Sequence, residues 1–240
     1  MKWLRKLWSR IESLKSPTPP EPTPSFPHET VPETPSTPIE SPKGNKDLWV
    51  PWAVRPSRSM PTSFTYPKGY PHGAIVHFTA GRDKTEQEAL DSYNLGCDEG
   101  YTFFVIGPTG KLYQGFPLNK GGAHAGQSYW PGLGSRVSSK LVGIEVACAG
   151  KLDSRGKSWF GVTYPQDEIR NGFKKYTPEQ EETLIKLLVW LKKNCPDVFD
   201  VQYILGHDEC AVPAGRKNDP GSSLSMTMGE LRALIKTKVN

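Results

Sequence analysis

Two of the five histidines close apolar runs, which is where a strand opens into a loop and a side chain can meet solvent or substrate. In Ala74-Ile-Val-His-Phe-Thr-Ala80 the two-residue period of a strand puts Ile75, His77 and Thr79 on one face, and Ala80-Gly81 ends the run in a turn. His207 follows Gly206 at the end of the run from Tyr203 to Leu205. Asp219 lies in the loop Gly215-Arg-Lys-Asn-Asp-Pro-Gly221, whose proline and glycines restrict the backbone. Two imidazoles and one carboxylate are a usual donor set for catalytic zinc, because three protein ligands leave the fourth position to water. Cys210 is a rival third ligand by spacing alone, since it lies three residues after His207.

His77-Phe-Thr-Ala-Gly81, Gly122-Ala-His-Ala-Gly126, Val142-Gly-Ile-Glu145, Gly206-His207 and Gly215-Arg-Lys-Asn-Asp-Pro-Gly221 follow one another at distinctive spacings. Their order resembles that of the zinc-dependent N-acetylmuramoyl-L-alanine amidases of type 2, a family that includes phage endolysins, bacterial muropeptide-recycling amidases and animal peptidoglycan recognition proteins. The resemblance spans about residues 70 to 235. It implies a central sheet with flanking helices, a zinc ion held by His77, His207 and Asp219, and peptidoglycan as partner. The bond cut would be the amide between the lactyl group of muramic acid and L-alanine. The third ligand of this family is Cys or Asp, and its position matches Asp219. Tyr101 matches a tyrosine that the family often places opposite the metal, where its hydroxyl bonds the tetrahedral intermediate. Many relatives carry His or Asn next, whereas here Thr102 follows. By the same resemblance His124 contacts sugar or peptide. Trp130, with Tyr129, offers a face for a sugar to stack on, with core packing as the equally open alternative.

The chemistry requires more than ligands. An amide is a poor electrophile, and a bound zinc ion both polarises the carbonyl and makes hydroxide available near neutral pH. A base must then take a proton. In Leu141-Val-Gly-Ile-Glu-Val-Ala147, strand period sets Glu145 on the face opposite Val142, Ile144 and Val146. A charge amid an apolar strand is costly unless it faces a site, so Glu145 is expected to act as general base and then to protonate the leaving amine. Lys217, two residues before Asp219, is expected to stand near the metal as a fixed positive charge for the oxyanion.

These residues need a framework, and the local signals alternate between strand and helix. Strands are expected at 73–79, 101–106, 111–116, 141–147 and 202–205, the second and third joined by the turn Gly107-Pro-Thr-Gly110. Thr85 with Glu88, Thr177 with Gln180 and Thr227 with Glu230 stand at capping-box spacing and open three helices. Strands interleaved with three helices predict an α/β fold, a single domain with a central mixed β-sheet flanked by helices. This zinc amidase catalytic domain is expected over residues 47–240.

The first 46 residues read differently. Over residues 1–15 Trp3, Leu4, Leu7, Trp8, Ile11 and Leu14 recur every three or four positions, with Lys2, Arg5, Lys6 and Arg10 on the other side. This is the pattern of a basic amphipathic helix that seeks a membrane surface or a protein partner such as a virion component. Residues 16–46 form a Pro-rich linker: ten of the 23 prolines fall between Pro17 and Pro42, with Phe26 as the sole aromatic, too little apolar surface to offset chain entropy.

Charge and cysteine usage exclude other classes. The net charge of +5 is unevenly spread along the chain and too diffuse for the basic footprint of a nucleic-acid-binding protein. The four cysteines form no CxxC pair, against a zinc ribbon or a disulfide scaffold and in favour of reduced thiols. No stretch of 18 apolar residues occurs, and the N-terminus lacks a secretory core and cleavage site. The expectation is a protein held in a host cytoplasm until released to the wall, or carried in a virion, as a phage endolysin or virion-associated lysin. Two alternatives stand beside it: a peptidoglycan-binding module without turnover, which the complete ligand set and Glu145 argue against, and a cytosolic muropeptide-recycling amidase, for which the helix and linker are superfluous.

Overall fold

The computed structural model describes residues 49–100 and 103–240 of the chain. The expected amphipathic helix (1–15) and linker (16–46) lie outside the described residues, as do Tyr101 and Thr102. Five strands form the central sheet: β1 (Gly73–Phe78), β2 (Phe103–Ile106), β3 (Leu112–Tyr113), β4 (Leu141–Val146) and β5 (Ile204–Gly206). Their spatial order is β5-β1-β4-β2-β3, parallel throughout except for the β2–β3 hairpin. The sheet is therefore mixed. The near-continuous apolar runs of β1 and β4 suit parallel strands that are covered on both faces.

Among the described residues three helices of at least 12 residues accompany the sheet. In α1 (Glu86–Glu99), α2 (Pro178–Asn194) and α3 (Met228–Val239) the capping boxes of Thr85, Thr177 and Thr227 all form, each threonine accepting from the backbone N–H three residues on. The main core joins Ala74, Val76, Val142, Ile144, Val146 and Ile204 of the sheet to Leu184, Leu187, Leu188 and Leu191 of α2 and Leu231 and Ile235 of α3. On the opposite face Ile75, Leu141 and Leu205 meet Ala125, Leu133, Val137 and Cys210 in a smaller cluster. Among the described residues no helix is long and apolar enough to cross a membrane. All four cysteines are buried and unpaired.

One strand begins later than the sequence suggests. Residues Val201–Tyr203 form a 3-10 turn, because the Asp200 side chain accepts from Gln202 N–H at 2.9 Å, and β5 starts only at Ile204. The result places Gly206 at the end of β5, beside Val76 of β1.

Candidate metal centre and active site

Parallel pairing brings the C-terminal ends of β1, β4 and β5 together, the place where open α/β sheets hold their ligands. His77 of β1 stands directly beside Glu145 of β4, so both side chains leave the sheet on the same face. Val142, Ile144 and Val146 point the other way, into the main core, as the alternation requires. His207 opens a helical turn, His207–Cys210, immediately after β5. The loop carrying Asp219 folds back on that turn: the Asp208 N–H donates to the Asp219 carbonyl at 2.9 Å. Gly206 permits this approach, since a Cβ there would lie 2.9 Å from Pro220 Cδ and closer still to the Asp208 carboxylate.

Three atoms then converge. His77 Nδ1 lies 3.0 Å from His207 Nδ1, and each lies 2.9 Å from Asp219 Oδ2. All three residues are buried, at 2%, 3% and 6% exposure, so the cluster lacks the bulk solvent that would otherwise satisfy it. This His-His-Asp set is able to bind a metal ion. Tetrahedral zinc with nitrogen and oxygen ligands holds neighbouring donors about 3.3 Å apart, so expansion by a few tenths of an ångström would fit the group around an ion. Burial lowers the pKa of His77, which keeps its imidazole in the neutral form that ligates metal.

Glu145 sits in contrast to this satisfied cluster. Its Oε2 is buried and has no hydrogen-bond partner among the described residues. Burial first, and then the Asp219 charge, push its carboxyl up to about 8, with Lys217 opposing. Lys217 also acts on His77, so its charge reaches both Glu145 and a member of the His-His-Asp set. A carboxyl that can shed and regain a proton near neutrality is what acid–base work requires.

The remaining sequence candidates fall in different places. Cys210 lies outside the metal-binding set: it is buried in the smaller apolar cluster, its thiol directed to the His207 carbonyl at 3.7 Å. Burial pushes that thiol up to about 12, against the thiolate a metal would need. Trp130 packs partly against the same cluster, and Tyr129 beside it is 53% exposed. His124 reaches the site from the loop between β3 and β4, with its Nδ1 3.1 Å from His77 Nε2. Tyr101 lies outside the described residues.

Other supports were not legible beforehand. The buried Tyr176 hydroxyl donates to the His77 carbonyl at 3.1 Å and anchors that histidine's backbone. Buried Asp83, just past β1, accepts from the Tyr164 hydroxyl at 2.7 Å and from Ala149 N–H at 3.0 Å. These bonds hold the segment after β4 against the turn after β1. In that segment Trp159, 53% exposed, donates its indole N–H to the Ala80 carbonyl at 2.6 Å and sets an aromatic surface beside the end of β1. An isolated Asp or Trp in a loop gives no such pairing signal in sequence.

Residues 67–222 match the family described as N-acetylmuramoyl-L-alanine amidase, Amidase_2, over well more than half the chain and across His77, His207 and Asp219. The chain belongs to that family. The amidase also resembles solved structures. A selenomethionine derivative of AmpD is 21% identical, covering 78% of this chain and 97% of that one with a TM-score of 0.51. AmiD from E. coli, in complex with its substrate anhydro-N-acetylmuramic acid-L-Ala-D-γ-Glu-L-Lys, is 21% identical over 70% of this chain and 58% of its own, with a TM-score of 0.49. The endolysin LysCS from Clostridium intestinale is 21% identical over 80% of this chain and 99% of its own, with a TM-score of 0.48. At such identity the AmpD likeness speaks to the shared fold. No curated protein matches the sequence.

Proposed function

We propose that this peptidoglycan amidase is zinc-dependent and serves as a lysin. The observation that carries the metal reading is the convergence of His77 Nδ1, His207 Nδ1 and Asp219 Oδ2 within 3.0 Å of one another, all three residues buried. When bound there, zinc supplies the polarisation of the lactyl–L-alanine carbonyl and the acidity of the attacking water. Glu145, whose Oε2 has no partner of its own among the described residues, accepts the proton of that water and returns it to the departing amine nitrogen. Lys217 contributes positive charge for the oxygen as it becomes anionic. The family resemblance assigns Tyr101 a hydrogen bond to the same oxygen and Trp130 a place beside the substrate.

The lysin reading rests on the sequence ahead of the domain. A basic amphipathic stretch with Trp3 and Trp8 at its apolar side, followed by a Pro-rich spacer, suits an enzyme that attacks polymeric wall while held at an anionic membrane surface. A recycling enzyme for small muropeptides has no use for such a tether.

Digestion of purified sacculi tests both parts. New free L-alanine amino termini should appear without new reducing sugar ends, and dialysis against a chelator should stop them until zinc is returned. Full turnover by metal-free protein would sink the zinc assignment. Deletion of residues 1–46 should preserve hydrolysis of soluble fragments while reducing co-sedimentation with anionic vesicles. A strong preference for soluble anhydro-muropeptides over sacculi would instead favour the recycling role.

A further inference from the structure

The loop Gly122–Gly126 lies behind both histidines of the metal cluster, and its hydrogen bonds fix where their protons sit. A carbonyl oxygen only accepts. His124 Nε2, 2.9 Å from the Leu141 carbonyl, must therefore carry the proton of that neutral ring. Its other nitrogen, Nδ1, is then an acceptor, and it lies 3.1 Å from His77 Nε2. His77 must in turn donate from Nε2, which leaves its Nδ1 as a lone pair facing Asp219. The next residue along the loop does the same for the second ligand: the Ala125 carbonyl accepts from His207 Nε2 at 3.1 Å, so in the neutral ring that ligates a metal the lone pair falls on Nδ1.

The loop is itself braced. Ser138 Oγ accepts from the Ala125 N–H at 3.0 Å, and Arg216 Nη2 donates to the Ala125 and Gln127 carbonyls at 3.1 and 2.6 Å. Arg216 belongs to the same loop as Asp219, so one brace links the segments behind all three ligands.

We propose that His124 is a positioning residue that locks the His77 ring as its Nε2–H tautomer, so that Gly122–Gly126, through the His124 ring and the Ala125 carbonyl, presets both Nδ1 lone pairs for the metal. This rests on the metal reading above. It also revises the role of His124 from substrate contact to support, since both its ring nitrogens are already engaged within the protein. A partner that orients a ligating histidine commonly changes metal affinity by about 10- to 100-fold when removed.

The test uses the full chain. Long-range proton–nitrogen correlations of the metal-free wild type should show His77 and His207 as Nε2–H tautomers. His124→Leu, which keeps bulk but removes the acceptor, should raise the zinc dissociation constant, measured by competition with a chromophoric chelator, by about 10- to 100-fold. His124→Asn, which returns an acceptor oxygen near the Nδ1 position, should recover most of that loss. A wild-type His77 protonated at Nδ1, or unchanged zinc affinity in a folded His124→Leu, would overturn the proposal. If His124→Leu does not fold, the wild-type tautomer decides alone. Nε2–H tautomers in a wild type that fails to bind zinc would retain the relay while sinking the metal reading.

Discussion

The two faces of the central sheet are built from the same strands and obey opposite rules. On one, Val76, Val142, Ile144 and Ile204 meet leucines of α2 and α3 with every side chain apolar and buried. On the other, Ile75, Leu141 and Leu205 support only a small cluster, and the strand ends above it carry His77 and Glu145. The first face holds the fold together through area removed from water. The second carries a half-buried carboxyl whose Oε2 has no hydrogen-bond partner among the described residues, a cost that the first face's burial helps to offset. Stability and chemistry are thus separated by a single residue step along each strand.

The sharpest break of this comparison is Asp219→Ala. It should abolish stoichiometric metal binding and reduce turnover to background, whereas Cys210→Ser should preserve both; metal analysis with the sacculus assay reads the pair. A reversed pattern would move the third ligand to Cys210.

Glu145→Gln should come next, with turnover lower by about 10²- to 10⁴-fold while zinc content and sacculus binding persist, because the amide keeps the shape and loses the base. Single-turnover assays at saturating substrate measure it, and an unchanged rate would place the base elsewhere.

The opposite face should give the reverse result. Leu187→Ala removes a fully buried leucine of α2 and should cost about 2–5 kcal/mol in denaturant unfolding. Activity per folded molecule should hold within about twofold, since distant sites act independently. Loss of zinc together with stability would show that the faces are coupled.

A further expected effect is a pH-dependent one. The Glu145 carboxyl in the folded chain is raised from 4.5 to about 8, so the fold favours its neutral form. That contribution is fully present below about pH 4.5 and is lost as pH rises through about 8. Metal-free Glu145→Gln, which cannot ionise, should therefore melt above metal-free wild type at about pH 9, with the margin closing by about pH 4. Calorimetry of chelator-treated protein reads this, and a margin independent of pH would mean that the buried carboxyl is not its source.

Much of this was legible because it is local. Each capping box is decided within three residues, so Thr85, Thr177 and Thr227 announce their helices without reference to the rest of the chain. Strand alternation likewise separates Glu145 from Val142, Ile144 and Val146, and the donor types of His77, His207 and Asp219 name their chemistry. The start of β5 was less legible, because the Asp200 side chain competes for the backbone there and delays the strand.

What the tertiary structure alone decided is which atoms face one another. Glu145 meets His77 because β1 and β4 are parallel neighbours in that register, a pairing no local pattern encodes. The protons of His77 and His207 are placed by His124 and by the carbonyls of Leu141 and Ala125, groups up to 82 residues away along the chain. A backbone carbonyl is present at every residue and leaves no mark in the sequence. Only the folded geometry selects which carbonyl comes within hydrogen-bond range, because that bond acts over about 3 Å of space irrespective of separation along the chain.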